Sequence, residues 1–213
     1  QYQEQAADFS LELQAQWRLF RSLVNIREPK PVSRAFLKLQ DNLLKEMIVE
    51  RGITKMSSLI PLQKNIYLWQ GDITGLQVDG IVNAANSGMT GCYSPCHGCI
   101  DNAIHTFAGV QLRLECATMM KGQGYPEPTG KAKITKAYNL PCQFILHTVG
   151  PIVIGKLSEK DYTLLASCYQ SCLELAEQNH LKSLAFCCIS TGEFHFPNKL
   201  AAQIAVDTVD RYM

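Results

Sequence analysis

Four side chains able to hold a metal crowd one short stretch of this chain: Cys92, Cys96, His97 and Cys99, in Gly91-Cys92-Tyr93-Ser94-Pro95-Cys96-His97-Gly98-Cys99. Cysteine sulfur and histidine nitrogen are zinc donors; three of them leave a fourth position for water or substrate, whereas four close the site and only pin a loop. Cys96 and His97 are adjacent, and neighbours both ligate only on a contorted backbone. Just before this cluster lie Asn83 and Asn86, and just after it Asp101 and His105. The asparagines read as loop residues satisfying their own backbone or as amides for a ligand's hydroxyls. Asp101 reads as a helix cap or as a carboxylate that orients an attacking water, and His105 as a packed helical residue. Further upstream, Gly71-Asp72-Ile73-Thr74 is a tight turn with one acid, whose plain reading is a turn or cap carboxylate.

The elements around these residues suit an anionic ligand. A strand-like run, Asp79 to Asn83, leads into a small, polar segment and then a helical pattern from Asp101 to Lys121, broken near Ala108-Gly109. Free amides and the helix dipole both favour negative charge at such a junction. Strands are predicted at Ile66 to Trp69, Ala132 to Tyr138, Phe144 to Thr148 and Ser183 to Ile189, the last covered on both faces. Helices are predicted from Asp161 to Gln178 and from Pro197 to Tyr212. Alternating strands and helices give a layered α/β domain with a parallel or mixed sheet, in which ligands collect at the carboxyl ends of strands. That places the chemistry in the loops after Asn83 and Ile189. Residues 1–60 read instead as a helical arm with no chemistry of its own. Leu13, Trp17, Phe20 and Val24 form one apolar face; beyond Pro29 and Pro31, Ser33 caps a second helix faced by Phe36, Leu39, Leu43 and Met47.

Composition bounds the rest. The chain has 213 residues, 46% hydrophobic and 18% charged, which makes it globular, one main domain with an appendage. A net charge of +1 gives no electrostatic case for nucleic acid, and neither a membrane-length apolar run nor a signal-peptide pattern is present. Nine cysteines, with Cys142, Cys168, Cys172, Cys187 and Cys188 in apolar contexts, point to buried thiols in a reducing cytoplasm rather than a disulfide framework.

Four ordered motifs then carry a resemblance: Gly71-Asp72-Ile73-Thr74; Val82-Asn83-Ala84-Ala85-Asn86 with Asp101-Asn102-Ala103-Ile104-His105; Thr148-Val149-Gly150-Pro151; and Ile189-Ser190-Thr191-Gly192-Glu193-Phe194-His195-Phe196-Pro197. Together they resemble a macrodomain, from Tyr67 to Tyr212. The resemblance implies a three-layer α/β/α fold with a mixed central sheet at 61–213, preceded by the helical extension at 1–60. It also implies a further strand and helix beyond Met213, so a sheet edge left incompletely covered is expected. Where ordinary hydrolytic macrodomains carry consecutive glycines this chain has its Cys/His cluster, similar to the zinc-dependent microbial class often encoded near a sirtuin-like ADP-ribosyltransferase and a lipoylated carrier protein.

That class implies hydrolytic removal of ADP-ribose from mono-ADP-ribosylated protein, with Zn2+ on Cys92, His97 and Cys99 and with Asn86 and Asp101 as catalytic residues. Asp72 would accept the adenine amino group, with Ile73 donating beside it. Asn83 and Asn86 would bind the hydroxyls of the distal ribose, Cys92 would also contact the ADP-ribose, and Ser190, Thr191, Gly192, Glu193 and Phe194 would wrap the diphosphate. The Glu193 side chain is expected to point away, its amide doing the binding. The alternative is a module that binds ADP-ribose without cleaving it, which has no need of the metal triad.

Overall fold

The structure, a computed structural model, describes residues 12–213, so the first eleven residues of the helical reading lie outside it. Helix α1 (Leu13–Ile26) stops ahead of Pro29, since a proline disfavours helical geometry in the residue before it. Its Trp17 stacks between Phe20 and Phe107, with ring centroids 5.6 and 5.4 Å away, which fastens the arm to the main body.

Helix α2 (Arg34–Arg51) is capped by Ser33, whose hydroxyl accepts from the Phe36 amide. Its inward face is not the expected one. Phe36, Leu39 and Leu43 are exposed, while Gln40, Leu44 and Ile48 are buried. Two apolar stripes lie one residue apart on this helix, and periodicity does not choose between them. A polar contact does: the Gln40 side-chain oxygen accepts from the Val110 amide at 3.1 Å, where the chain breaks between two helices.

After Gly52 the arm is no longer α-helical, apart from one 3-10 turn at Met56–Ser58. Strand β1 (Thr54–Lys55) is followed by β2 (Pro61–Gln63) and β3 (Ile66–Tyr67), which pair with each other antiparallel; the strand expected through Trp69 is shorter. β4 (Leu76–Gln77) runs parallel to β1. Then come β5 (Gly80–Ala84), α3 (Ile100–Ala108), α4 (Val110–Gln123), β6 (Ala132–Lys136), β7 (Phe144–Thr148), α5 (Glu159–Gln178), β8 (Leu184–Ala185) and α6 (Asn198–Tyr212). The break between α3 and α4 is Gly109 at φ +98°, a conformation that costs a side chain dearly.

The central sheet has the order β6-β7-β5-β8, with β5 parallel to β7 and β8 and β6 antiparallel to β7. Successive strand residues point to opposite faces, so Ile81 and Ile145 join Leu44, Ile48, Ile104 and Leu112 in one apolar layer. Val82 and Leu146 join Leu165, Cys168, Cys172 and Ala201 in the other. Helices therefore cover both faces of a mixed sheet, the three-layer α/β/α arrangement.

β8 departs from expectation, being two half-buried residues rather than a run through Ile189 covered on both sides. It lies at the end of the strand order and pairs only with β5, so less of it is enclosed. For the same reason Cys188 is exposed and Cys187 half-buried, whereas Cys142, Cys168 and Cys172 are buried as expected. All nine cysteines are free thiols. No helix among the described residues is long and apolar enough to cross a membrane.

Candidate active site

β5 delivers its carboxyl end into the segment 85–99, and everything chemical about the site starts there. Asn83, the penultimate residue of β5, is wholly buried. Its amide donates to Asp101 Oδ1 at 2.8 Å and also approaches His147 Nδ1 at 3.1 Å. The Asp101 contact fixes which end of the amide carries hydrogens, so His147 accepts on Nδ1 and offers its Nε2 proton to Thr135 Oγ1, 2.8 Å away. Burial pushes the His147 pKa down to about 3, which keeps the ring neutral. Asn86 sits at the surface of the same cluster and donates to Asp101 Oδ2 and to the Gly91 carbonyl, both at 3.2 Å.

Asp101 is thus gripped by two amides, one from the end of β5 and one from the loop after it. Burial pushes its pKa up to about 6, against the opposing pull of the Asn83 hydrogen bond, Arg113 and the Asn86 hydrogen bond. His105, one turn on, is buried as expected but not satisfied, since both ring nitrogens lack a hydrogen-bond partner. Its ring packs under Gly91, where an added Cβ would lie 2.7 Å from the imidazole; Gly91 also has φ +84°.

The cysteine-histidine loop brings three metal-capable side chains together and leaves Cys96 apart. Cys92 Sγ, a His97 ring nitrogen and Cys99 Sγ all lie within 4.8 Å of one another, each half-buried. Cys99 caps α3, accepting from the Asn102 amide, and burial pushes its thiol up to about 11. Cys96 takes a left-handed backbone, φ +53°, and turns its thiol to the Arg18 carbonyl at 3.4 Å. The contortion demanded by adjacent ligands is present, yet it carries Cys96 away from the other three.

What holds this loop is the helical arm, which had read as chemically silent. Arg21 donates to the His97 carbonyl at 2.8 Å and, through two nitrogens, to Asn102 Oδ1. Asn25 accepts from the Cys96 amide at 2.9 Å and donates to Thr106. Arg113 on α4, nearly fully buried, joins the carbonyls of Val24, Asn25 and Arg27 to that of Cys92 and lies 4.2 Å over the Tyr93 ring. These residues are 70 or more positions from their partners in the loop, or join two such segments, so no local pattern announces them.

Asp72 behaves first as a cap. Its Oδ1 accepts from the Thr74 amide and hydroxyl at 2.9 and 2.6 Å, and Oδ2 pairs with Arg51 of α2, whose guanidinium also lies 4.0 Å over Phe107. Ile73 beside it is buried. On the far side of the sheet end, the loop after β8 folds back on itself. Phe196 donates to the Ser190 carbonyl, His195 to Gly192, and Val153 to Phe194. Ser190 adopts φ +63°, is buried, and its hydroxyl has no partner. Thr191 and Phe194 are half-buried, Gly192 and Glu193 exposed. The Glu193 side chain does not point into empty solvent: its Oε1 lies 3.4 Å from His97 Nε2.

Gly150 permits this loop to sit where it does, because an added Cβ would fall 2.0 Å from Ser190 Oγ and 2.9 Å from an Ile189 methyl. Gly150→Ala is therefore expected to destabilise the protein by about 1–3 kcal/mol through overpacking. A lowered urea midpoint with an unchanged slope checks it.

The site thus joins a three-donor loop, an amide-clamped carboxylate and a folded-back loop with an unpartnered hydroxyl, all at the carboxyl ends of β5 and β8. The family pattern described as "Macro domain" matches residues 82–205, more than half of the chain. The chain belongs to the macrodomain family. Its relatives include a Treponema medium protein named protein-ADP-ribose hydrolase, 60% identical over 196 residues that span 90% of this chain and 75% of that one. A protein of the same name from Staphylococcus aureus strain MSSA476 is 51% identical, over 92% of this chain and 74% of its own. Among solved structures, a Trypanosoma brucei macrodomain in complex with ADP shares 31% identity at TM-score 0.68, covering 92% of this macrodomain and 83% of that chain. An Oceanobacillus iheyensis macrodomain with ADP shares 40% identity at TM-score 0.61, covering 66% and 72%.

Proposed function

We propose that this macrodomain is a zinc-dependent hydrolase that removes ADP-ribose from mono-ADP-ribosylated protein side chains. The observation that carries the reading is the convergence of Cys92, His97 and Cys99 within 4.8 Å, with Cys96 turned away. Three soft donors at a strand's carboxyl end fit zinc and leave a position open. Zinc held there would supply Lewis acidity toward an oxygen at the distal ribose. The names of the relatives at 51–60% identity support the hydrolase; the donor set supports the metal.

The chain's own residues do the rest. Asp72 takes the adenine amino group on a lone pair left over by Thr74 and Arg51, with Ile73 donating from its backbone. The amides of Ser190 to Phe194 take the diphosphate, and the unpartnered Ser190 hydroxyl gains an acceptor. Asn86 faces the distal ribose, and Asp101, buried behind it, orients the attacking water through the Asn86 amide. Asp101 fixes the Asn86 amide, and Asn83, wholly buried, acts by holding Asp101. Held rigidly at three points, the sugar carbon meets water in near-attack geometry. The water oxygen bonds to that carbon, the bond to the side chain breaks, and the water's hydrogens end on the sugar hydroxyl and the released side chain. The same proposal extends to a cytoplasmic setting suited to nine free thiols, and to a lipoylated carrier as one modified partner.

The test is incubation with a mono-ADP-ribosylated protein and measurement of free ADP-ribose beside the zinc content. Equimolar zinc with release of ADP-ribose is the expected result; tight binding of ADP-ribose with no release would leave only a reader.

A further inference from the structure

His97 shows two different neighbours to its two ring nitrogens. Nδ1 lies 3.6 Å from Cys92 Sγ, inside the donor cluster, and Nε2 lies 3.4 Å from Glu193 Oε1, on the loop after β8. A histidine that ligates through one nitrogen carries its proton on the other. Donating that proton to a carboxylate fixes the ring's orientation and raises its basicity as a ligand. Resting on the zinc reading above, we infer that Glu193 is a positioning residue for His97, and that through this contact the diphosphate loop and the metal loop are thermodynamically coupled.

The fold of its own turn aims the Glu193 side chain at His97. The turn that carries it is closed by His195 donating to Gly192 at 3.0 Å and Phe196 donating to Ser190 at 2.9 Å, with Ser190 and His195 both at positive φ. Its outer limb is tied to the segment after β7 by Val153 donating to Phe194 at 2.9 Å. An exposed contact of this kind is worth little by itself, and Glu193 is 69% exposed. A cation on Nδ1 withdraws charge from the ring and strengthens the Nε2–H donor, so the contact gains its strength when the metal is bound. The contact also gives a reason for an acid in a loop built for an anion: the carboxylate is turned from the diphosphate amides toward the imidazole. Because coupling is reciprocal, a ligand that orders the 190–196 turn tightens zinc by the same factor by which zinc tightens that ligand.

The experiment measures zinc affinity of the whole chain by competition with a chromophoric chelator, with and without saturating ADP. ADP carries the adenine and diphosphate but no distal sugar, so a direct contact between sugar and metal contributes nothing. Unaltered protein is expected to bind zinc roughly fivefold or more tightly when ADP is present. Glu193→Ala should weaken zinc by about tenfold and bring the ADP effect to a ratio of one, with Glu193→Gln, which keeps an acceptor oxygen, between the two. A Glu193→Ala protein with unaltered zinc affinity and an unaltered ADP effect overturns the inference. Failure of the underlying reading looks different: there Cys92→Ser with Cys99→Ser binds zinc as well as the parent chain does.

Discussion

Cys92→Ser combined with Cys99→Ser is expected to remove zinc and to lower ADP-ribose release roughly a thousandfold, since Lewis-acid assistance is worth several kcal/mol and each 1.36 kcal/mol is tenfold. Two of the three side chains within 4.8 Å of one another are lost. Both are half-buried, and serine keeps the Cys99 capping contact to the Asn102 amide in kind. Melting temperature should therefore change little while metal content falls. Cys96→Ser is the matched control, because that thiol faces the Arg18 carbonyl and not the other donors; its zinc content should stay at the parental level. Undiminished turnover in a zinc-free double variant would end the metal's role.

The second large effect comes from a residue with no metal-binding chemistry. Arg113→Ala strips hydrogen bonds from four main-chain carbonyls, those of Val24, Asn25, Arg27 and Cys92, and empties a buried volume beside Tyr93. Buried acceptors left without donors, together with the lost charge near Asp101, put the destabilisation on the order of 3–5 kcal/mol. For a chain of this length that lowers the melting temperature by roughly 10 °C or more. Arg113→Lys should recover little of it, because an ammonium lacks the planar fork that reaches several carbonyls at once. Differential scanning calorimetry of the two variants checks the size of the loss, and zinc content checks that Cys92 loses its mooring. A lysine variant as stable as the parent would mean that charge, not geometry, ties the arm to the loop.

The sequence yielded those parts of the molecule whose signals are local. The break at Gly109, the Ser33 cap, the strand at Gly80–Ala84 and the loops on either side of the site follow from turn chemistry and periodicity within a dozen residues. The cluster at 92–99 could be read as open or closed, and only the position of the Cys96 thiol separates the two arrangements. Two kinds of feature stayed hidden. One is choice between near-equivalent patterns, as on α2, where Phe36, Leu39 and Leu43 looked as apolar as the stripe that is buried. The other is contact across long separations. Nothing in the spacing of Arg21, Asn25 or Arg113 announces that they meet the 92–102 segment, nor that His147 meets Asn83. A charged residue on a half-apolar helix has the same sequence signature whether it faces water or anchors a remote loop.

The way the Cys96 amide is held by Asn25, and the His97 carbonyl by Arg21, makes the donor loop a non-transplantable unit. Grafting residues 91–99 onto a host lacking equivalents of those two side chains would copy the metal-capable residues and leave their spacing undefined. Recruiting this chemistry by evolution or by engineering therefore requires inheriting two distant segments at once.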